Sequence, residues 1–427
     1  MGRHGLALQA QLIVRAVRAM LTALVFMGAF AATSVAAEEP KPMETVETLP
    51  RDAKLALLEA QQALEAGKSE EAVDILGKYV RDHAKKDDSF LMRYHYASML
   101  VQVDRREEAL AEYERVVALE PRYDAGWLGL GETAYGLGQF QRAAEALKKG
   151  YQTSVEKRPD VLYYAAAAQL LGGDAAGAIP VLEDLVSGQH GEPKFEWYRG
   201  LVSACLQAED HPRGRKSVDQ MIERFGDNAD AWYLAFQFAA SVSDYHQAAV
   251  ALTVVGYLRP LTRQEQLQLG DLYAAVEAPA AAAGYYSAAT QDTASAGEVE
   301  RVASAYLASY QSEEALRVLE QGIKDEPTFR LWSLLGDLHV MESRYDQAEA
   351  AFAECIRLKP EEPRPHLMLG YCMIELNRPD DALAPLAVAA ADEEWAERAQ
   401  MLVRRAQIMR AAPPAVPTPP TTSAPTP

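Results

Sequence analysis

This 427-residue sequence predicts an all-α fold, a right-handed superhelical solenoid of about ten helix–turn–helix repeats with a C-terminal capping helix. Three observations predict it. A small residue recurs just after a polar turn, at Ala72, Ala109, Ala143, Ala178, Gly214, Ala248, Ala282, Ala315, Ala348 and Ala382, with spacings of 37, 34, 35, 36, 34, 34, 33, 33 and 34. Apolar residues follow it four and seven positions later, which is helical spacing. Pro121, Pro260, Pro327 and Pro360 stand where the second helix of a repeat has to stop, since proline has no N–H to offer a continuing helix.

Each recurring position has a physical reason. Two helices of a pair cross closely only where the side chains at the crossing are small. A single pair has an apolar face that it cannot bury by itself, and stacking on its neighbours buries that face continuously. The first helices of the pairs are therefore expected to line a concave wall.

Other residues keep fixed places relative to the small one. Trp127, Leu130 and Gly131 precede Ala143, and Trp332, Leu335 and Gly336 precede Ala348, Phe352 and Pro360. Leu269, Gly270 and Tyr273 precede Ala282, and Leu369 with Gly370 precedes Ala382. In this pattern, over roughly residues 53–396, the chain resembles the tetratricopeptide repeat (TPR) family. Residues 195–228 fit worst, with Gly214 in place of alanine and Pro212 at a helix start.

Along the chain, residues 1–37 read as a secretory signal. Arg3, Arg15 and Arg18 precede an apolar run from Ala19 to Ala32, and small residues lead to a cleavage site after Ala37. The alternative is an uncleaved N-terminal membrane anchor, because Ala19 to Ala37 approaches the length that spans a bilayer. Residues 38–52 read as a linker and 53–392 as ten repeats. Residues 393–412 read as a capping helix with Trp395, Met401, Leu402 and Ile408 turned inward, and 413–427 as a Pro/Thr-rich tail without a core.

Composition excludes some functions. A net charge of −19 argues against nucleic acid, whose phosphates are met by Lys and Arg, and against anionic lipid. Gly67-Lys68-Ser69 resembles the end of a phosphate-binding loop, but Gln62 stands where the earlier glycine is needed. The eight His and three Cys show no metal-ligand spacing, so no metal and no cofactor are expected, and no motif for an enzyme is found. The acid pairs Glu70-Glu71, Glu107-Glu108 and Glu313-Glu314 suit the positive ends of second helices. Cys205, Cys355 and Cys372 read as small buried residues, with a Cys355–Cys372 bridge as the alternative.

The resemblance implies a scaffold whose partners are other proteins or peptide segments held on the concave face. The positions it places there are Tyr94, His95, Tyr135, Tyr163, Tyr164, Arg199, Tyr233, Gln237 and Tyr371, with Asp271, Arg301, Arg330, Asp337 and Met368. Tyrosines there serve as partner contacts or as packing between repeats, and their type alone leaves both open. The family's carboxylate clamp is not carried over, because its places hold mostly Tyr, Leu, Gln, Ser and Glu. With the export signal, the expected role is a periplasmic adaptor. Residues 232–289 also resemble TPR proteins associated with TonB/ExbB/ExbD systems. The alternative role is a structural subunit of an envelope polysaccharide or outer-membrane assembly or secretion complex.

Overall fold

A computed structural model describes residues 43–291 and 294–411. The signal segment, the cleavage site after Ala37 and the 413–427 tail lie outside these residues. Among the described residues there are 21 α-helices and no strand.

The helices fall into two compact units, one ending at Arg122 and one starting at Tyr123. The first unit contains two helix pairs, α1 (Arg51–Glu65) with α2 (Ser69–His83) and α3 (Phe90–Gln102) with α4 (Arg106–Leu119). The second contains eight pairs and a last helix. They are α5 (Asp124–Gly136) with α6 (Phe140–Thr153), α7 (Pro159–Leu171) with α8 (Ala175–Val186), α9 (Phe195–Gln207) with α10 (His211–Arg224) and α11 (Ala229–Ser241) with α12 (Tyr245–Leu258). Then come α13 (Arg263–Ala275) with α14 (Pro279–Ala289), α15 (Ala296–Ala308) with α16 (Ser312–Asp325), α17 (Phe329–Met341) with α18 (Tyr345–Leu358), α19 (Pro363–Glu375) with α20 (Pro379–Ala389), and α21 (Ala396–Ala411). The division between Arg122 and Tyr123 leaves no mark in the repeat spacing.

The recurring small residues do what their spacing predicts. All nine alanines are 0% exposed. Where the first helix carries glycine at the crossing, the partner helix leaves no room: a Cβ on Gly336 of α17 would sit 2.7 Å from Phe352 of α18. The weakly matching repeat is explained in the same way. A Cβ on Gly214 would lie 2.4 Å from Phe238 Cε2 on α11, so the next repeat fills the space that alanine takes elsewhere.

The turns inside the pairs share one geometry. Each contains a residue with φ near +60 to +80°: Gly67, Asp104, Gly138, Gly173, Glu209, Ser243, Glu277, Tyr310, Ser343 and Asn377. Every one stands five positions before its small residue. In the α3–α4 turn, the N–H of Asp104 bonds to the carbonyl of Val101 (3.1 Å) and that of Arg105 to Leu100 (2.9 Å). This left-handed closure satisfies carbonyls that the ending helix leaves open. The next residue then starts the second helix. In three turns it is an aspartate, Asp174, Asp210 or Asp244, whose side chain accepts from a backbone N–H of the first turn. The acid pairs at Glu70, Glu107 and Glu313 lie in such first turns, beside the positive end of the helix dipole. Gly67 and Lys68 form the α1–α2 turn and no strand precedes them.

The last helix differs from its expectation. It begins at Ala396, and Met401 and Ile408 are 55% and 70% exposed rather than inward. Ala399 and Ala406 form the contact side instead, both 0% exposed, with Trp395 and Leu402 half-buried beside them. Small side chains let α21 lie close on the preceding pair, and this turns the larger Met401 and Ile408 outward. The three cysteines are buried free thiols. Cys355 and Cys372 share a cluster with Phe352, and burial pushes each thiol up to about 12.

Candidate functional site

In the second unit the first helices touch one another across repeats, α7 with α9, α9 with α11, α15 with α17. Side chains on that face therefore meet side chains one repeat away.

Near its start this face holds a hollow of about 480 Å³ between α5, α6 and α7. Two glycines create its floor. A Cβ on Gly131 would lie 2.7 Å from Leu147, and one on Gly150 2.8 Å from Leu128, so α5 and α6 cross with their leucines interleaved. Leu128, Leu147 and Val161 line the hollow, together with Glu132 and Arg158. Tyr135 and Tyr164 complete the lining, 40% and 56% exposed. Two sequence-predicted positions thus come together at one apolar depression. Tyr163, next in the chain, is half-buried and packs on the α9 side, 3.3 Å from where a Cβ on Gly200 would stand.

Farther along, the face is crossed by ion pairs. Arg263 on α13 reaches Glu298 on α15 (2.8 Å), and Arg301 on α15 reaches back to Asp271 on α13 (3.2 Å), which also accepts the Tyr286 hydroxyl (2.6 Å). Arg330 on α17 lies 3.8 Å from Glu300 on α15, and Arg364 on α19 donates to Asp337 (2.7 Å) and Ser333 (2.9 Å) on α17. A second hollow, about 620 Å³, opens here among Glu300, Arg330, Ser333, Asp337, Lys359 and Arg364. Burial raises the Asp337 carboxyl above its ordinary value, against the opposing pull of Arg364. The sequence shows each of these charges but not the pairing, because partners stand about 27 to 35 residues apart on different helices.

The remaining predicted positions are spread out. Arg199 and Gln237 are exposed on α9 and α11. Tyr233 is half-buried, with the Arg259 guanidinium 5.8 Å from its ring centre. Met368 and Tyr371 are half-buried on α19, and the Tyr371 ring meets that of Tyr345 edge-on at 6.0 Å. Burial, with a hydrogen bond to Tyr345, pushes the Tyr371 phenol up to about 12. In the first unit, Tyr94 and His95 are half-buried, and Tyr94 packs edge-on against Tyr113 of its own pair at 5.9 Å. Burial lowers the His95 imidazole pKa.

Among the described residues no group of three or more His, Cys, Asp or Glu side chains is placed to hold a metal ion. No helix among them is long and apolar enough to cross a membrane.

Two family models match the chain, both described as tetratricopeptide repeat, one at residues 339–406 and the other at 97–154, 128–193 and 303–363. No curated protein matches. Similar solved structures include a tetratricopeptide repeat protein from Parabacteroides merdae, at 10% identity over 59% of this chain and 98% of that one, TM-score 0.36. Another is the C-terminal part of a TPR repeat-containing protein from Cytophaga hutchinsonii, at 14% identity over 65% and 99%, TM-score 0.38. A third is yeast Tom70, at 12% identity over 84% and 96%, TM-score 0.32. Taken with the buried small residues and the repeated turn, the family models establish that the chain carries tetratricopeptide repeats, units that bind other proteins or peptides.

Proposed function

We propose that this chain is an exported scaffold that holds partner proteins on the first-helix face of its second unit. The observation that carries this reading is the hollow at Tyr135 and Tyr164. A scaffold contact needs apolar area with a hydrogen-bonding edge, and two exposed phenols over a leucine floor supply both. The cross-repeat ion pairs beyond it set a polar, charge-alternating stretch suited to the backbone and polar side chains of an extended segment. Replacing Tyr135 and Tyr164 together with alanine is expected to abolish recovery of the partners that the unaltered chain retains, with helical circular dichroism unchanged. Equal recovery by both chains refutes the site.

The export part rests on residues 1–37, whose basic start, apolar run and small-residue end have the form of a cleaved signal. Cell fractionation with N-terminal sequencing is expected to find a periplasmic chain that begins at Glu38. A chain that retains Met1 in the membrane fraction supports the anchor instead. The pattern of residues 232–289 supports association with a TonB/ExbB/ExbD-type system, checked by co-purification with those components. Retention with outer-membrane complexes after cross-linking favours the assembly-subunit role.

A further inference from the structure

Residues 413–427 hold seven of the chain's 23 prolines and no charged side chain. Pro414, Pro417 and Pro420 recur at every third position. A polyproline II strand makes one turn in three residues and rises about 9 Å per turn, so in that conformation these three prolines form one edge. Packed helices stand about 8–10 Å apart, the same interval. The hollow at Tyr135 and Tyr164 offers two rings on the first helices of successive repeats, α5 and α7. Both rings are braced: Tyr135 meets Phe140 edge-on at 5.6 Å, and Tyr164 leans on Tyr163 at 6.0 Å. Side chains held in this way lose little freedom when a ligand arrives.

We propose that this hollow takes the proline edge of residues 413–427 from a second copy of the chain, an inference that rests on the partner-holding reading of the same face. Pro414 and Pro417 each lie on one tyrosine ring, over the floor of Leu128 and Leu147. Hydrogen bonding suits the same occupant. Proline has no N–H, so the strand presents mainly carbonyl acceptors, and the Tyr135 and Tyr164 hydroxyls and the Arg158 guanidinium are donors. Glu132, the one acid of the lining, accepts from Thr418, which stands between two of the prolines. Reach decides the source. Pro417 lies six residues past Ala411, at most about 22 Å of chain, whereas seven first-helix steps of about 8–10 Å separate α7 from α21. The tail of one copy therefore serves the hollow of another.

A labelled peptide of residues 411–427, titrated with the full chain and followed by fluorescence anisotropy, is expected to bind saturably. Tyr135→Ala with Tyr164→Ala should weaken it about tenfold or more, with helical circular dichroism unchanged. A peptide carrying Pro414→Ala, Pro417→Ala and Pro420→Ala should lose binding. One carrying Pro413→Ala, Pro419→Ala and Pro425→Ala, the same number of prolines on another edge, should keep it. Light scattering over a concentration series should show the full chain associating. A chain ending at Ala412 should stay at the single-chain mass and bind the peptide more tightly, since no tail competes. Absence of saturable binding overturns the proposal, as does equal binding of the two alanine peptides or full binding by the double tyrosine variant. A full chain that stays single while truncation tightens peptide binding places the tail on its own copy and overturns the second-copy source. If the peptide fails but the tyrosine variant still loses the partner proteins, the tail inference falls and the partner-holding reading stands. If partner recovery is unchanged as well, both fall.

Discussion

Gly214 on α10 faces Phe238 on α11 so closely that a Cβ on the glycine would lie 2.4 Å from Phe238 Cε2 and 3.3 Å from the Cys205 Cβ. The other nine repeats carry alanine at this register, each wholly buried. Gly214→Ala restores the common residue and is nevertheless expected to destabilise the protein by about 1–3 kcal/mol, the usual range for overpacking. A lower urea midpoint measures it. The compensating pair Gly214→Ala with Phe238→Leu should recover part of the loss, since the shorter side chain vacates the clash.

The turns give a prediction of the opposite sign. Tyr310 has φ +59° and is 86% exposed, so its side chain adds little packing while its Cβ is strained in the left-handed region. Tyr310→Gly should raise stability by about 0.5–1 kcal/mol, the strain relieved less the entropy of glycine. Gly138→Ala, at φ +71° in the equivalent turn, should lower it by about 1 kcal/mol from backbone strain alone, because a Cβ there meets nothing within 4 Å. Thermal unfolding of both variants checks the pair.

Arg93 on α3 is 2% exposed and holds both Asp88 and Glu112. Arg93→Ala takes the buried cation from Asp88 and leaves Glu112 with Arg115 alone, at 2.9 Å, and should cost about 3 kcal/mol, the lower end for breaking a buried pair. Arg330 on α17 is largely exposed and 3.8 Å from Glu300, so Arg330→Ala should change stability by less than about 0.5 kcal/mol. Urea midpoints that shift alike would contradict this assignment of the two pairs.

Acid should weaken the protein in two stages. His339 on α17 is buried with Nδ1 unbonded, and burial depresses its pKa below 6.5. The unfolded chain takes up that proton first, so the stability present above pH 6.5 is lost as pH falls through the depressed folded value. His339→Leu should flatten this part of the profile. Glu265, held by Arg259 and the Thr262 backbone N–H, is drawn from 4.5 down to about 2. Its contribution is complete above pH 4.5 and disappears as pH falls through about 2. Stability measured from pH 8 to pH 2 should show both stages in that order.

The thiols should be silent in the folded chain. With Cys205 at about 11 and Cys355 and Cys372 at about 12, all buried, a thiol reagent at pH 8 should label none of them. Urea without reductant should then release three. Fewer than three would reveal a bridge.

How much of this was legible beforehand depends on the range of the interaction. Ala72 to Ala382 identify every helix crossing, because closeness of two neighbouring helices restricts side-chain size at one register. The left-handed turn residue five positions earlier left little trace: Gly67, Gly138 and Gly173 hint at it, while Glu209, Tyr310 and Ser343 do not, since the turn's hydrogen bonds fix the backbone whichever residue occupies it. The face of α21 is not legible in the sequence, because an amphipathic pattern marks large residues as inward and α21 turns its alanines inward instead.

Period, small-residue register and proline stops, all local along the chain, were enough for the sequence to determine paired helices in tandem. Which tyrosines stay open was decided only by tertiary packing: Tyr135 and Tyr164 border a hollow, while Tyr94 is packed on Tyr113 and Tyr163 beside Gly200. The ring and the hydroxyl are the same in each case. What differs is the neighbour supplied by another helix, and only the assembled stack brings that neighbour within reach.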